Sequence, residues 1–178
     1  MIQFKTEEGK WSWLAGLIDC DGCIKLSKYH DPRRGKVKKI RSTSWLCYVT
    51  FVNVNKEIVE TFNSLMGRKG KIYTIRSKIK NHRTCYRSDC MKVHLREVLP
   101  KIFPYLVVKK KQCEIMMEVI KILDNSKVGE RNYEELDKYY KMIKKLNNPN
   151  GKKTRKRVRF SRYYDDKGME DLITKVND

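Results

Sequence analysis

The residues with the most chemical content lie close together near the N-terminus, in Asp19-Cys20-Asp21-Gly22. They close an apolar run, Trp13-Leu14-Ala15-Gly16-Leu17-Ile18, that suits a buried helix. Gly22 suits the stop of that helix, because glycine takes positive φ without steric cost. Asp21 then stands at a helix C-terminus, where the macrodipole disfavours negative charge. A divalent cation compensates such a carboxylate best, so the placement suits a metal ligand. The plainer alternative is a core helix with a solvated Asp-Gly cap. Cys20-x-x-Cys23 has zinc-like spacing. It has no second pair and straddles a helix end and a strand, so no metal–thiolate site is expected there.

The elements that must position these residues follow from periodicity. A first helix should run from Thr6 or Glu7 to Cys20, with Thr6 as N-cap and Glu7 and Glu8 in the first turn. Cys23 to Tyr29 alternates as a half-buried strand, Ile24 and Leu26 on one face, Lys25, Ser27 and Tyr29 on the other. His30 to Gly35 reads as a turn, and a return strand reaches about Asn53 through Trp45, Cys47, Val49 and Phe51. A helix from about Lys56 to Met66 carries Ile58, Val59, Phe62 and Leu65 on one stripe, and Gly67 to Gly70 stops it. A second hairpin spans Lys71 to Lys78 and Thr84 to Val93. A short helix, His94 to Phe103, is bounded by Pro100 and Pro104. A longer one follows Tyr105, with Val108, Ile115, Met116, Val119 and Ile122 as its core stripe, and another covers Tyr133 to Leu146. Asn147 to Gly151 is the clearest break. It divides a core, 1–146, from a basic loop and a last helix at about Tyr163 to Val176, within 147–178.

Length and charge narrow the function. The chain has 178 residues, 40% hydrophobic, enough for one ordinary domain with a real core. Its formal net charge is +20, which points to a polyanion, nucleic acid first. A membrane surface fits less well, because no single helix sets basic residues opposite an apolar face. No apolar run is long enough to span a bilayer. The first ten residues are neither a secretory signal nor a transit peptide, and the six scattered cysteines suit a reduced, intracellular setting.

The positive charge is also distributed along strands and turns. Arg33, Arg34, Lys36, Lys38 and Arg41 crowd the first hairpin. Lys25, Ser27 and Tyr29, Arg41 and Tyr48, Lys71 and Tyr73, and Arg76, Arg83 and Arg87 are candidates for one sheet face. Such a face can enter a DNA major groove about 12 Å wide. The phase of the second strand stays open, since Val52 and Val54 would share the face of Tyr48. The run holding Lys153, Thr154, Arg155 and Lys156 suits contacts to phosphates.

The string Trp13 to Gly22 closely resembles the signature of the LAGLIDADG homing endonucleases, with Cys20 where the family usually has a small residue. Val49-Thr50-Phe51-Val52-Asn53-Val54-Asn55-Lys56 resembles the family segment that ends in a polar active-site residue, often Gln and here Asn55. Phe103 to Gln112 resembles its Pro-aromatic-Leu-x-x-Lys-x-Lys-Gln segment, with Lys109 directed at the cleavage centre and Lys111 beside DNA. The resemblance covers nearly the whole chain.

It implies an α+β fold of order αββαββα, with a saddle-shaped antiparallel sheet on DNA and added C-terminal helices. A single motif implies a homodimer with the motif helices packed together, Trp13, Ala15, Gly16 and Asp19 at the interface, and a pseudo-palindromic double-stranded DNA target. Asp21, with the Cys20 backbone carbonyl, would hold Mg²⁺. Mn²⁺ would substitute, and Ca²⁺ would bind without cleavage. Asn55 would order a water and Lys109 would support developing charge. Asp19 reads as structural. The resemblance further implies short 3′ overhangs, intron homing and an organellar setting. The alternatives are an intron RNA maturase, a non-cleaving DNA-binding protein, or a basic structural RNA-binding protein.

Overall fold

The computed structural model describes residues 2–30, 43–67, 72–76, 83–127 and 130–149. In chain order they form α1 (Glu7–Cys20), β1 (Gly22–His30), β2 (Thr43–Asn53), α2 (Lys56–Leu65), β3 (Tyr73–Ile75), β4 (Cys85–Met91), α3 (Lys92–Ile102), a 3₁₀ turn (Phe103–Tyr105), α4 (Lys110–Asn125) and α5 (Tyr133–Asn147). This is the expected α+β order, αββαββα followed by further helices.

α1 starts where its chemistry allows. The Thr6 hydroxyl accepts the Gly9 N–H at 3.0 Å, and Glu7 and Glu8 occupy the first turn. The strands form one antiparallel sheet in the order β1-β2-β4-β3. Register pairs Ile24 with Val49 and Lys25 with Tyr48, and Tyr48 with Met91. Alternation then separates the faces. Ile24, Leu26, Trp45, Cys47, Val49 and Phe51 are buried with Leu14, Ala15 and Ile18 of α1, Val59 and Phe62 of α2 and Met116 of α4. Phe51 stacks on Phe62 with ring centroids 4.7 Å apart. The other face carries Lys25, Ser27, Tyr48, Val52, Arg87 and Met91, none of them buried.

Several details differ from the sequence reading. α3 begins at Lys92 and carries Pro100 inside its last turn. There the missing N–H removes a single helical bond, so the helix continues to Ile102. Val108 does not join the α4 core stripe: it precedes the helix and is 70% exposed. β3 is shorter than expected. The turn after His30 and the helix proposed at Tyr163 to Val176 lie outside the described residues.

Gly22 is required for space rather than for positive φ. Gly67, at the end of α2, is the glycine with positive φ among the described residues. A Cβ on Gly22 would lie 2.6 Å from the Ile18 Cα and 2.9 Å from the Ile18 carbonyl oxygen. Backbone atoms cannot yield as a flexible side-chain end can. Gly22→Ala is therefore expected to destabilise the fold by about 1–3 kcal/mol, measured by thermal or urea unfolding. An unchanged midpoint would mean that the turn leaving α1 is softer than its packing shows.

Candidate active site and nucleic-acid interface

The end of α1 meets two other segments. Asp21 caps the helix, its N–H donating to the Leu17 carbonyl at 3.0 Å, and its side chain is exposed. The Asn53 amide donates to the Asp21 carboxylate at 3.3 Å. Asn53 also accepts the Asn55 N–H at 2.9 Å. Asn55 itself is the N-cap of α2, its side-chain oxygen accepting the Ile58 N–H at 3.3 Å. The structure thus engages the Asn55 oxygen in capping and brings Asn53, two residues earlier, to Asp21. The signal lay in phase: Asn53 continues the Cys47, Val49, Phe51 face, which points toward α1.

Asp19 works inside its own subunit. Its carboxylate accepts the Val107 N–H at 2.7 Å, the Val108 N–H at 3.1 Å and the Lys109 N–H at 2.8 Å. α4 has no cap from its own N-cap residue Lys109. Asp19 supplies one from the opposite helix, where a negative charge also suits the α4 dipole. The exchange is reciprocal, because the Lys109 ammonium donates to the Asp19 backbone carbonyl at the α1 C-terminus. Lys109 is thereby fixed beside the turn that carries Asp21.

Two interface assignments change accordingly. Ala15 is 0% exposed within one chain and belongs to the core. Asp19 is committed to the 107–109 segment. Gly16 does face outward, and a Cβ there would meet nothing within 4 Å. Trp13 is half-buried and packs edge-on against Phe4, with ring centroids 5.3 Å apart. Small size at Ala15 serves the fold; small size at Gly16 leaves a flat outer helix surface.

On the open sheet face, Ser27 and Tyr48 share a hydrogen bond of 3.0 Å, and the Lys25 ammonium lies 5.9 Å from the Tyr48 ring centroid. Tyr29, Arg76 and Arg83 are exposed. Tyr73 lies opposite Arg87 in register. Val52 does share the face of Tyr48, together with Leu46 and Met91, so the face is mixed and not purely basic. Lys111 pairs with Glu114 on α4, at 2.8 Å. Arg33, Arg34, Lys36, Lys38, Arg41, Lys71, Lys153, Thr154, Arg155 and Lys156 lie outside the described residues.

All six cysteines are free. Burial pushes the Cys47 and Cys113 thiols up to about 12, and the negative charge of Asp19 adds to the effect at Cys113. Both are inert core residues at neutral pH. Among the described residues no three His, Cys, Asp or Glu side chains gather as a metal cluster. The donors at the α1 end are hard oxygens, the Asp21 carboxylate and the Cys20 carbonyl. They fit Mg²⁺, which binds through one or two carboxylates and completes its shell with water and phosphate oxygens.

The sequence profile of the LAGLIDADG-like domain matches residues 8–121, more than half of the chain. The chain belongs to the LAGLIDADG family. Its matched region contains α1 from Glu8 onward, the sheet and α3, together with Asp21, Asn53 and Lys109. Solved LAGLIDADG structures share the fold. The homing endonuclease I-CvuI, in complex with the I-CreI target, is 20% identical with a TM-score of 0.57, over 84% of this chain and 87% of that one. The archaeal intron-encoded homing endonuclease I-Vdi141I, complexed with DNA, is 20% identical with a TM-score of 0.58, over 85% and 91%. The group I intron-encoded homing endonuclease I-CeuI, complexed with DNA, is 15% identical with a TM-score of 0.55, over 80% and 69%. No curated protein sequence matches the chain.

Proposed function

We propose that this LAGLIDADG protein is a site-specific homing endonuclease. It binds a long pseudo-palindromic DNA duplex as a homodimer and hydrolyses one phosphodiester in each strand, leaving short 3′ overhangs. The observation that carries the reading is the meeting of Asp21, Asn53 and Lys109 at the end of α1, at the border of a sheet face that no helix covers among the described residues. Each chain supplies one such centre, so cutting both strands needs two copies. The exposed surface of α1 around Gly16 is where the copies pack.

Asp21 and the Cys20 carbonyl would hold the divalent ion. When bound, Mg²⁺ polarises the scissile phosphate and stabilises the departing 3′ oxygen. Mn²⁺ substitutes, and Ca²⁺ supports binding without cleavage. Asn53 fixes the Asp21 carboxylate in place, leaving its second oxygen available. The Lys109 ammonium, held at the α1 C-terminus, supplies positive charge where negative charge develops on the phosphate. The open sheet lies in the major groove, and the basic run 152–157 docks on phosphates. The resemblance to intron-encoded enzymes supports a role in intron homing.

Affinity for duplex DNA is expected to fall steeply with salt. Six to ten neutralised phosphates would lower it by roughly 10³–10⁵ between about 50 and 200 mM salt, with two chains bound per duplex. A fluorescence-anisotropy titration across that range, paired with light scattering of the complex, tests both points. A flat salt response or a single bound chain would overturn the sheet-on-DNA dimer.

A further inference from the structure

Among the described residues, the open sheet face carries one carboxylate that a DNA-binding surface would not tolerate by itself. Asp89 lies on β4 between Arg87 and Met91, on the face that the reading above lays against DNA. A lone carboxylate there would repel phosphate. It is not alone. Arg87 Nε donates to Asp89 Oδ1 at 2.8 Å, and the hydroxyl of Thr50, its cross-strand neighbour, donates to the same oxygen at 2.8 Å.

The arrangement holds an arginine by its side. A guanidinium has a side edge that includes Nε and an end edge formed by the two terminal nitrogens. Occupying Nε fixes the plane and leaves the end edge for another partner; among the described residues, none accepts from it. Arg87 is also partly shielded, with 26% of its side chain exposed, so its loss of rotamer freedom is already met in the free protein. A fixed end edge suits bidentate pairing, and on a sheet face laid in the major groove the base that matches it is guanine, through O6 and N7.

We infer that Arg87 reads a guanine in each half of the target, and that Asp89, itself held by Thr50, is the positioning residue that fixes Arg87 for this contact. The inference rests on the DNA-binding reading above. It adds a base to it and assigns that base to one residue.

Selection from a randomised duplex pool with Ca²⁺ present, sequenced for the wild type, Arg87→Lys and Asp89→Asn, tests it. The lysine keeps the charge but not the planar fork. The wild type should fix a guanine in each half-site. Arg87→Lys should relax that position by roughly 5- to 150-fold while the other positions stay fixed, which also verifies its fold. Asp89→Asn should relax the same position by a smaller factor. The assignment is overturned if Arg87→Lys weakens all sequences alike, as a phosphate contact would, or relaxes a position that is not guanine. If the wild type enriches no sequence at all, the DNA-recognition reading fails with it.

Discussion

Asp21→Asn is expected to lose metal-dependent cleavage by roughly 10³-fold or more while binding its DNA target within about twofold of the wild type. The substitution changes charge and little else. The asparagine carbonyl can still accept from the Asn53 amide, which now donates to Asp21 at 3.3 Å. Asp21 is exposed and buries nothing, so the core has no stake in it. The phosphate contacts lie on the sheet and are untouched. What disappears is the anionic oxygen donor at the α1 end, and neutral amide oxygens hold Mg²⁺ weakly by comparison. Single-turnover cleavage and a binding titration on the same duplex separate the two effects. Cleavage at a normal rate would show that the metal is held elsewhere.

The second large effect is on stability. Asp19→Ala is expected to cost about 2–4 kcal/mol, since it removes a charged acceptor from the N–H groups of Val107, Val108 and Lys109. Val107 is 83% exposed, so water can replace part of the loss there, which keeps the figure below three full charge-assisted bonds. The melting temperature should fall by roughly 4–16 °C. Asp19→Asn should lie between, because one oxygen acceptor remains without its charge. The alanine variant should also cleave more slowly, as Lys109 loses the bond that draws its backbone toward α1. If the alanine variant melts with the wild type, the 107–109 segment is not held through Asp19.

The sequence made the fold legible wherever one local pattern decided the outcome. Alternation along Ile24-Leu26 and Cys47-Val49-Phe51 defined the buried sheet face, and the helical stripe through Val59 and Phe62 defined what covers it. Thr6 announced the start of α1 by its own chemistry. The site was legible in part, because Asp21 and Lys109 stand in long motifs. The remainder depended on contacts between distant segments. Asp19 and its partners are 88 to 90 residues apart in sequence, so the cap it gives α4 leaves no local trace. Asn53 and Asn55 are alike in type and two positions apart; only the observed start of α2 shows that one caps a helix and the other meets Asp21. Ala15 and Gly16 are alike in size, and only helix rotation separates the buried one from the exposed one. Asp89 carries no local signal among so many basic residues, because its role depends on Thr50 in another strand.

The most direct measurement is incubation of the pure protein with a plasmid carrying the intronless junction of its host gene, with Mg²⁺ and, in parallel, with EDTA. The account predicts a double-strand cut at one site, with Mg²⁺ only, leaving short 3′ overhangs. Tight binding to that junction with no cut in Mg²⁺ would contradict it, and the meeting of Asp21, Asn53 and Lys109 would then stand as part of a DNA-binding or maturase scaffold rather than an active site.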